Sequence, residues 1–283
     1  MESDNQVLRP RYFLHLAYDG TNYCGWQVQT NAPSVQQTIN EALQKLLRHP
    51  VPSTGCGRTD SGVHAKDFYM HFMPEKEIED PADFLFRLNC VLPDDISIFK
   101  IIPVADRAHV RFDATHRTYE YYVYFDKSPF IKKYASYQGF YPINWEPILR
   151  ATEFIKTVKD FTSLCLASED FKTNLCNVTE ARWDILPAHH LVLKPFENTP
   201  TGSPLTADYQ RKEGEVLRFT ITSNRFLRGM VRKIVGMTLM VGKGKLSLDE
   251  FTDTVTQQKE FRIHNLASPA GLFLSKVKYP YID

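Results

Sequence analysis

Between residues 11 and 103, runs with the two-residue period of a strand alternate with runs carrying a helical stripe, in the order strand, helix, strand, strand, helix, strand. No other feature of the chain limits its fold as much. The order predicts an α+β sandwich with helices on one face of a sheet. Arg11–Asp19 alternates and stops at the Asp19-Gly20 turn. Ser34 and Gln37 form a capping box ahead of the stripe Val35, Ile39, Ala42, Leu43, Leu46 and Leu47, and this helix is expected to stop near Arg48-His49, before Pro50. Short strands follow over Val51–Cys56 and Phe68–Phe72. Asp80-Pro81 opens a second helix with proline in its first turn, and Ile96–Pro103 returns as a strand.

The second half has a similar order of elements with no sequence repeat at a fixed period, which hints at a duplicated fold. It begins with the aromatic strand Arg117–Phe125, followed by a helix over Trp145–Lys156 and strands over Glu180–Ile185 and Glu215–Ser223. Arg228–Val241 reads as a helix, Ser247 with Glu250 caps another, and Leu272–Tyr279 is the last strand. Pro195–Glu215, rich in Pro, Gly, Thr and Ser, reads as a mobile hairpin or insertion. The 283 residues suffice for two domains, expected at 1–105 and 106–283.

Five cysteines without a CxxC pair argue against zinc ribbons and thioredoxin-like chemistry, and suit reduced thiols in the cytoplasm. The first 20 residues lack the apolar run of a signal peptide, and no stretch of 18 apolar residues suggests a membrane span. Net charge is +1, so any affinity for nucleic acid depends on where the cations sit. They are grouped. Arg225, Arg228, Arg232, Lys233, Lys243 and Lys245 fall within 21 residues that contain no acid. Arg107, His109, Arg111, His116 and Arg117 interleave with Phe112 and Tyr119.

The loop Gly55-Cys-Gly-Arg-Thr-Asp-Ser-Gly-Val-His-Ala65 concentrates reactive groups between two strands. Ser61 sits in an Asp-Ser-Gly triplet, yet the upstream histidines have no protease context and the G-x-S-x-G elbow is absent. His64 and Asp67 lack the further ligands of a metal site. The glycines match neither the Walker nor the dinucleotide spacing. Taken alone, Asp60 reads as an Asx-turn, bonding its own backbone, rather than as a catalytic carboxylate.

GRTDSGVHA at 57–65 resembles the signature loop of the tRNA pseudouridine synthase A family, and five further blocks match in family order. Tyr18-Asp19-Gly20-Thr21 with Tyr23-Cys24-Gly25-Trp26-Gln27 resembles its N-terminal motif, and Phe112–Tyr121 its aromatic second motif. Asp160-Phe161-Thr162-Ser163, the basic segment Phe226–Gly236 and Gly271–Leu274 complete the set. The resemblance implies a pseudouridine synthase fold: two ferredoxin-like, RRM-like halves whose sheets join around a central basic cleft. It implies isomerisation of uridine to pseudouridine at positions 38, 39 and 40 of the tRNA anticodon arm, by a cytoplasmic homodimer that needs no cofactor or metal and no membrane. By the family pattern Asp60 is the nucleophile. Tyr119 stacks on the base and is a candidate proton acceptor, and Arg232 pairs with Asp60. Arg58 wedges into the space of the flipped nucleotide, Leu272 lines the pocket, and Arg228 and Lys233 hold the substrate. The chain departs from the pattern at Ala108-His109-Val110-Arg111 and in the length of 195–215, both of which bear on substrate range. The alternative, from a different class, is a tRNA-binding or RNA-folding protein with secondary or altered catalysis.

Overall fold

The computed structural model describes residues 9–139, 141–166, 173–187 and 202–282. The chain forms two compact units, one of residues 1–115 with 279–283, the other of residues 116–278.

The first unit contains β1 (Arg11–Tyr18), α1 (Val35–Leu47), β2 (Ser53–Gly55), β3 (His64–Phe72), α2 (Pro81–Val91) and β4 (Ile96–Val104). β1 lies between β4 and β3 and is antiparallel to both, and β2 adds to β3. The register sets Leu14 opposite Met70 and Leu16 opposite Phe68, and all four side chains are fully buried. Ile39, Leu43 and Leu88 from the helices are buried as completely. Each such side chain contributes roughly 1.5–3 kcal/mol on burial. Phe13, on the alternate face of β1, is covered by Tyr279 and Tyr281, whose rings lie 5.7 and 6.4 Å from it.

Local signals set the helix ends. The Ser34 hydroxyl accepts from the Gln37 amide, whereas the Gln37 side chain donates to Glu41, so only half of the expected capping box forms. Arg48 closes α1 in the left-handed region, at φ 64°. The Asp80 carboxylate accepts from the amides of Ala82 and Asp83 ahead of Pro81.

The second unit contains β5 (His116–Tyr124), β6 (Ser136–Tyr137), α3 (Trp145–Thr157), β7 (Val178–Pro187), β8 (Ser203–Pro204) and β9 (Glu215–Ser223), then α4 (Met230–Gly242), α5 (Leu248–Thr256) and β10 (Leu272–Lys278). Its strands run in the order β10-β5-β9-β7-β8, all antiparallel, with β6 added in parallel to the end of β5. Part of the expected insertion is thus an edge strand, since Ser203 and Pro204 pair with Ile185 and Asp184, while 195–201 lie outside the described residues. α4 begins two residues later than the pattern predicts. Gly229 adopts φ +65°, and the Arg228 carbonyl turns to accept from the Leu166 amide instead of joining the helix.

One face of the β5–β9–β7 sheet carries a buried ionic ladder. Arg218 donates to Asp184 at 2.9 Å and lies 3.5 Å from Glu120, which accepts from the Tyr122 hydroxyl at 2.7 Å. Arg218, Glu120, Asp184 and Tyr122 are all buried. Burial, then the neighbouring Glu120, hold the Tyr122 phenol well above its ordinary pKa.

Candidate active site

In the first unit, the loop between β2 and β3 carries Asp60 half-buried and Arg58 exposed. The loop is pinned on both sides of Asp60 by the segment 18–26. The Thr59 carbonyl accepts from the Trp26 amide at 3.3 Å, and the Thr59 hydroxyl pairs with the Tyr18 phenol at 2.9 Å. Beyond Asp60, the Ser61 hydroxyl and the Gly62 amide both donate to the Tyr23 carbonyl, at 3.4 and 3.1 Å. The Val63 amide donates to Asp60's own carbonyl at 3.1 Å, and the Cys56 amide ties the loop's start to Tyr69 at 2.8 Å. Gly25 makes the approach possible, because at φ +88° a side chain there would be strained and would run into the Thr59 carbonyl. The carboxylate of Asp60 therefore stands on a backbone whose position is fixed by residues about 40 places upstream.

His64 is 1% exposed, with Nδ1 3.1 Å from the Gly20 amide and 3.0 Å from the Asp19 carboxylate. Burial pushes the Asp19 carboxyl up, but hydrogen bonds from His64 and Thr21 outweigh it and hold the group well below the usual carboxylate range. Ser61 and His64 both direct polar atoms at the 19–23 turn, which is the behaviour of a scaffold. Among the described residues no group of three or more His, Cys, Asp or Glu is arranged to hold a metal ion.

In the second unit, Tyr119 sits on β5 between Leu274 and Ile221, with its ring edge-on to Phe226 at 4.9 Å. Leu272 lies opposite Tyr121, one alternation along. Arg232, in the first turn of α4, donates from Nε to the Ala267 carbonyl at 2.8 Å, and the Ala267 amide returns a bond to the Arg232 carbonyl at 3.1 Å. The Tyr121 hydroxyl donates to the adjacent Ser268 carbonyl at 2.8 Å. Burial pushes the Tyr121 phenol up to about 12, with nearby Arg232 opposing the shift. Backbone 267–268 is thus held by Arg232 and Tyr121 together, a contact no local sequence signal announces. Phe226 was visible only as part of the basic block.

The basic cluster is divided by the fold. Arg225, Arg228 and Arg232 lie at the N-terminal end of α4, and Arg228 is exposed. Lys233 is 8% exposed and donates to the Cys165 carbonyl at 3.1 Å, beside the turn that Asp160 caps by accepting from Thr162. Lys243 and Lys245 lie past the other end of α4, about 20 Å away along a helix of this length. There both ammonium groups lie over the Tyr141 ring, at 5.9 and 5.8 Å.

Residues 158–280 match the family model described as tRNA pseudouridine synthase. The chain is 40% identical over 271 residues to tRNA pseudouridine synthase A of Porphyromonas gingivalis, covering 95% of this chain and 97% of that protein. The protein of the same name from Bacteroides thetaiotaomicron is 40% identical over 272 residues, covering 95% and 91%, and that from Parabacteroides distasonis is 39% identical over 270 residues, covering 95% and 96%. The chain belongs to the tRNA pseudouridine synthase A family, a family of isomerases.

Proposed function

We propose that the chain converts uridine to pseudouridine at positions 38, 39 and 40 of the tRNA anticodon arm, as a cytoplasmic homodimer without a cofactor, with Asp60 as the catalytic carboxylate. The observation that carries the assignment to Asp60 is its loop, anchored at Thr59 on one side and at Ser61 and Gly62 on the other. A preorganised backbone of this kind holds a reacting group in place without further ordering during the reaction.

The reaction breaks the bond from uracil N1 to ribose C1′, turns the base and joins C5 to C1′, with N1 taking up a proton and the C5 proton released. No group is oxidised or transferred to a carrier. Asp60 serves either by attacking the sugar carbon or by removing a ribose proton, and both roles require it ionised. Burial against the substrate opposes that charge. Arg232, always protonated and able to bind a carboxylate through two N–H groups, supplies the compensation. The uridine must leave its stack, at a cost of a few kcal/mol. Tyr119 and Leu272 receive the base, and stacking on the ring returns roughly 1–3 kcal/mol. Tyr119 also accepts the final proton in this reading. Arg58, exposed on the loop, occupies the space the base vacates. Arg228 contacts phosphate, and Lys233 supports binding by seating the first turn of α4.

Incubation with tRNA labelled with tritium at uracil C5 tests the assignment. Release to water is expected from the wild type and from Ser61→Ala, and is expected to fall below about 10⁻³ of wild type for Asp60→Ala. Undiminished release by Asp60→Ala would overturn it.

A further inference from the structure

Phe112 is 75% exposed, on a short knob in the first unit that is otherwise tightly built. The Asp113 amide donates to the His109 carbonyl at 3.0 Å, and the His109 amide donates back to the Asp113 carboxylate at 2.8 Å. The Tyr281 hydroxyl donates to the same carboxylate at 2.6 Å. His109 Nδ1 accepts from the amides of both Arg111 and Phe112, at 3.2 and 3.3 Å. Below them, the His71 ring accepts from the Val110 amide at 3.3 Å, the Tyr279 hydroxyl donates to the Val110 carbonyl at 2.6 Å, and Arg11 donates to the Ala108 carbonyl at 2.5 Å. Backbone with this many anchors does not collapse to hide an apolar ring. The Phe112 ring lies 4.2 Å from the His109 ring, inclined by 30°, and the Arg111 guanidinium lies 5.9 Å from its centre. Arg111 is exposed beside it, and Arg107, five residues earlier and next to the exposed Asp106, is exposed too, while the nearest acid in sequence, Asp113, is turned toward Tyr281.

An exposed aromatic held rigid among cations is unfavourable in water and well suited to an RNA strand, whose bases stack and whose phosphates take the positive charge. We infer that Phe112 is a stacking platform for an unpaired base of the tRNA anticodon arm other than the reacting uridine, with Arg107 and Arg111 on the adjoining phosphates. The inference rests on the substrate class proposed above and adds a site to it. A solvated protein surface would not need the eight hydrogen bonds just described to present one phenylalanine. Burial, with Arg11 adding to it, holds the His109 imidazole below its ordinary pKa, so Nδ1 stays available as the acceptor that shapes the knob.

The test compares wild type, Phe112→Ala, Phe112→Leu and Phe112→Trp, using an unmodified tRNA transcript and transcripts with single abasic sites in the anticodon loop. Phe112→Ala is expected to weaken tRNA binding about tenfold, with single-turnover tritium release at saturating enzyme within about twofold of wild type. Phe112→Trp should bind as wild type and Phe112→Leu as Phe112→Ala. One abasic position should weaken wild-type binding by a similar factor and leave Phe112→Ala unchanged. Full affinity in Phe112→Leu, or the absence of any such position, overturns the platform. So does a change of sedimentation in Phe112→Ala, which would make Phe112 a subunit contact. If the wild type releases no tritium while the loss in Phe112→Ala stands, the isomerase reading falls and the platform remains.

Discussion

At the scale of single residues, Arg232 does two things that a lysine could not combine. Its Nε–H holds the Ala267 carbonyl, and its planar fork keeps further N–H groups at fixed angles to that bond. An ammonium on a flexible stem can satisfy a carbonyl or a carboxylate but does not fix one relative to the other. Arg232→Lys is expected to lower the single-turnover rate at least about tenfold while changing tRNA affinity less than about threefold. Rapid-quench kinetics beside a binding titration measures both, and equal losses would remove the ion-pair role. Asp60 is the contrasting case. Its residue type and glycine-rich setting were legible, and so was its place between two strands. The bonds that fix it were not, because Tyr18, Tyr23 and Trp26 reach it from a segment with no local reason to fold that way.

At the scale of elements, the ladder on β5, β9 and β7 has no apolar substitute near it. Arg218→Met takes the buried guanidinium from Glu120 and Asp184 and leaves Asp184 only the exposed Arg182, 3.1 Å away, a loss on the order of 3–5 kcal/mol. Urea denaturation reads it directly, and a shift below about 1 kcal/mol would show that water replaces the guanidinium. The first unit carries a pH dependence of definite sign. His71 is buried, and with Arg11 and His109 nearby and only Asp113 opposing, its pKa falls from 6.5 to about 4. The unfolded chain then takes up a proton that the folded chain refuses. Stability is fully present above about pH 6.5 and declines as pH falls toward 4, by up to about 3 kcal/mol. Denaturation between pH 4 and 7 should show that slope, flattened in His71→Asn.

The strand runs and helix caps were readable because they depend on neighbours within four residues, as at Ser34 and Asp80. The start of β3 was not. His64–Asp67 carries polar residues whose partners, Asp19, Gly20 and His15, lie on other segments, which masks the alternation. Lys233 likewise reads as one more surface cation and proves to be a buried tie to Cys165.

At the scale of the whole molecule, a net charge of +1 conceals separate cationic zones at the two ends of α4. The salt dependence of tRNA binding reports which cations meet phosphate. Arg228→Ala should reduce the slope of log affinity against log salt by about 1, and Lys233→Ala should leave the slope within error while lowering thermal stability. A slope that falls equally in both would mean that α4 rearranges on binding.

The return of residues 279–282 to the first unit also has a bearing on synthesis. Phe13, the Val110 carbonyl and the Asp113 carboxylate are covered by tyrosines, made 169 residues after Val110 and 168 after Asp113. A ribosome that has released only the first unit's early strands exposes an aromatic face it cannot yet cover. The unit that carries Asp60 is therefore completed last, after the unit that follows it in sequence, and a prematurely terminated chain would leave Phe13 and the knob uncovered.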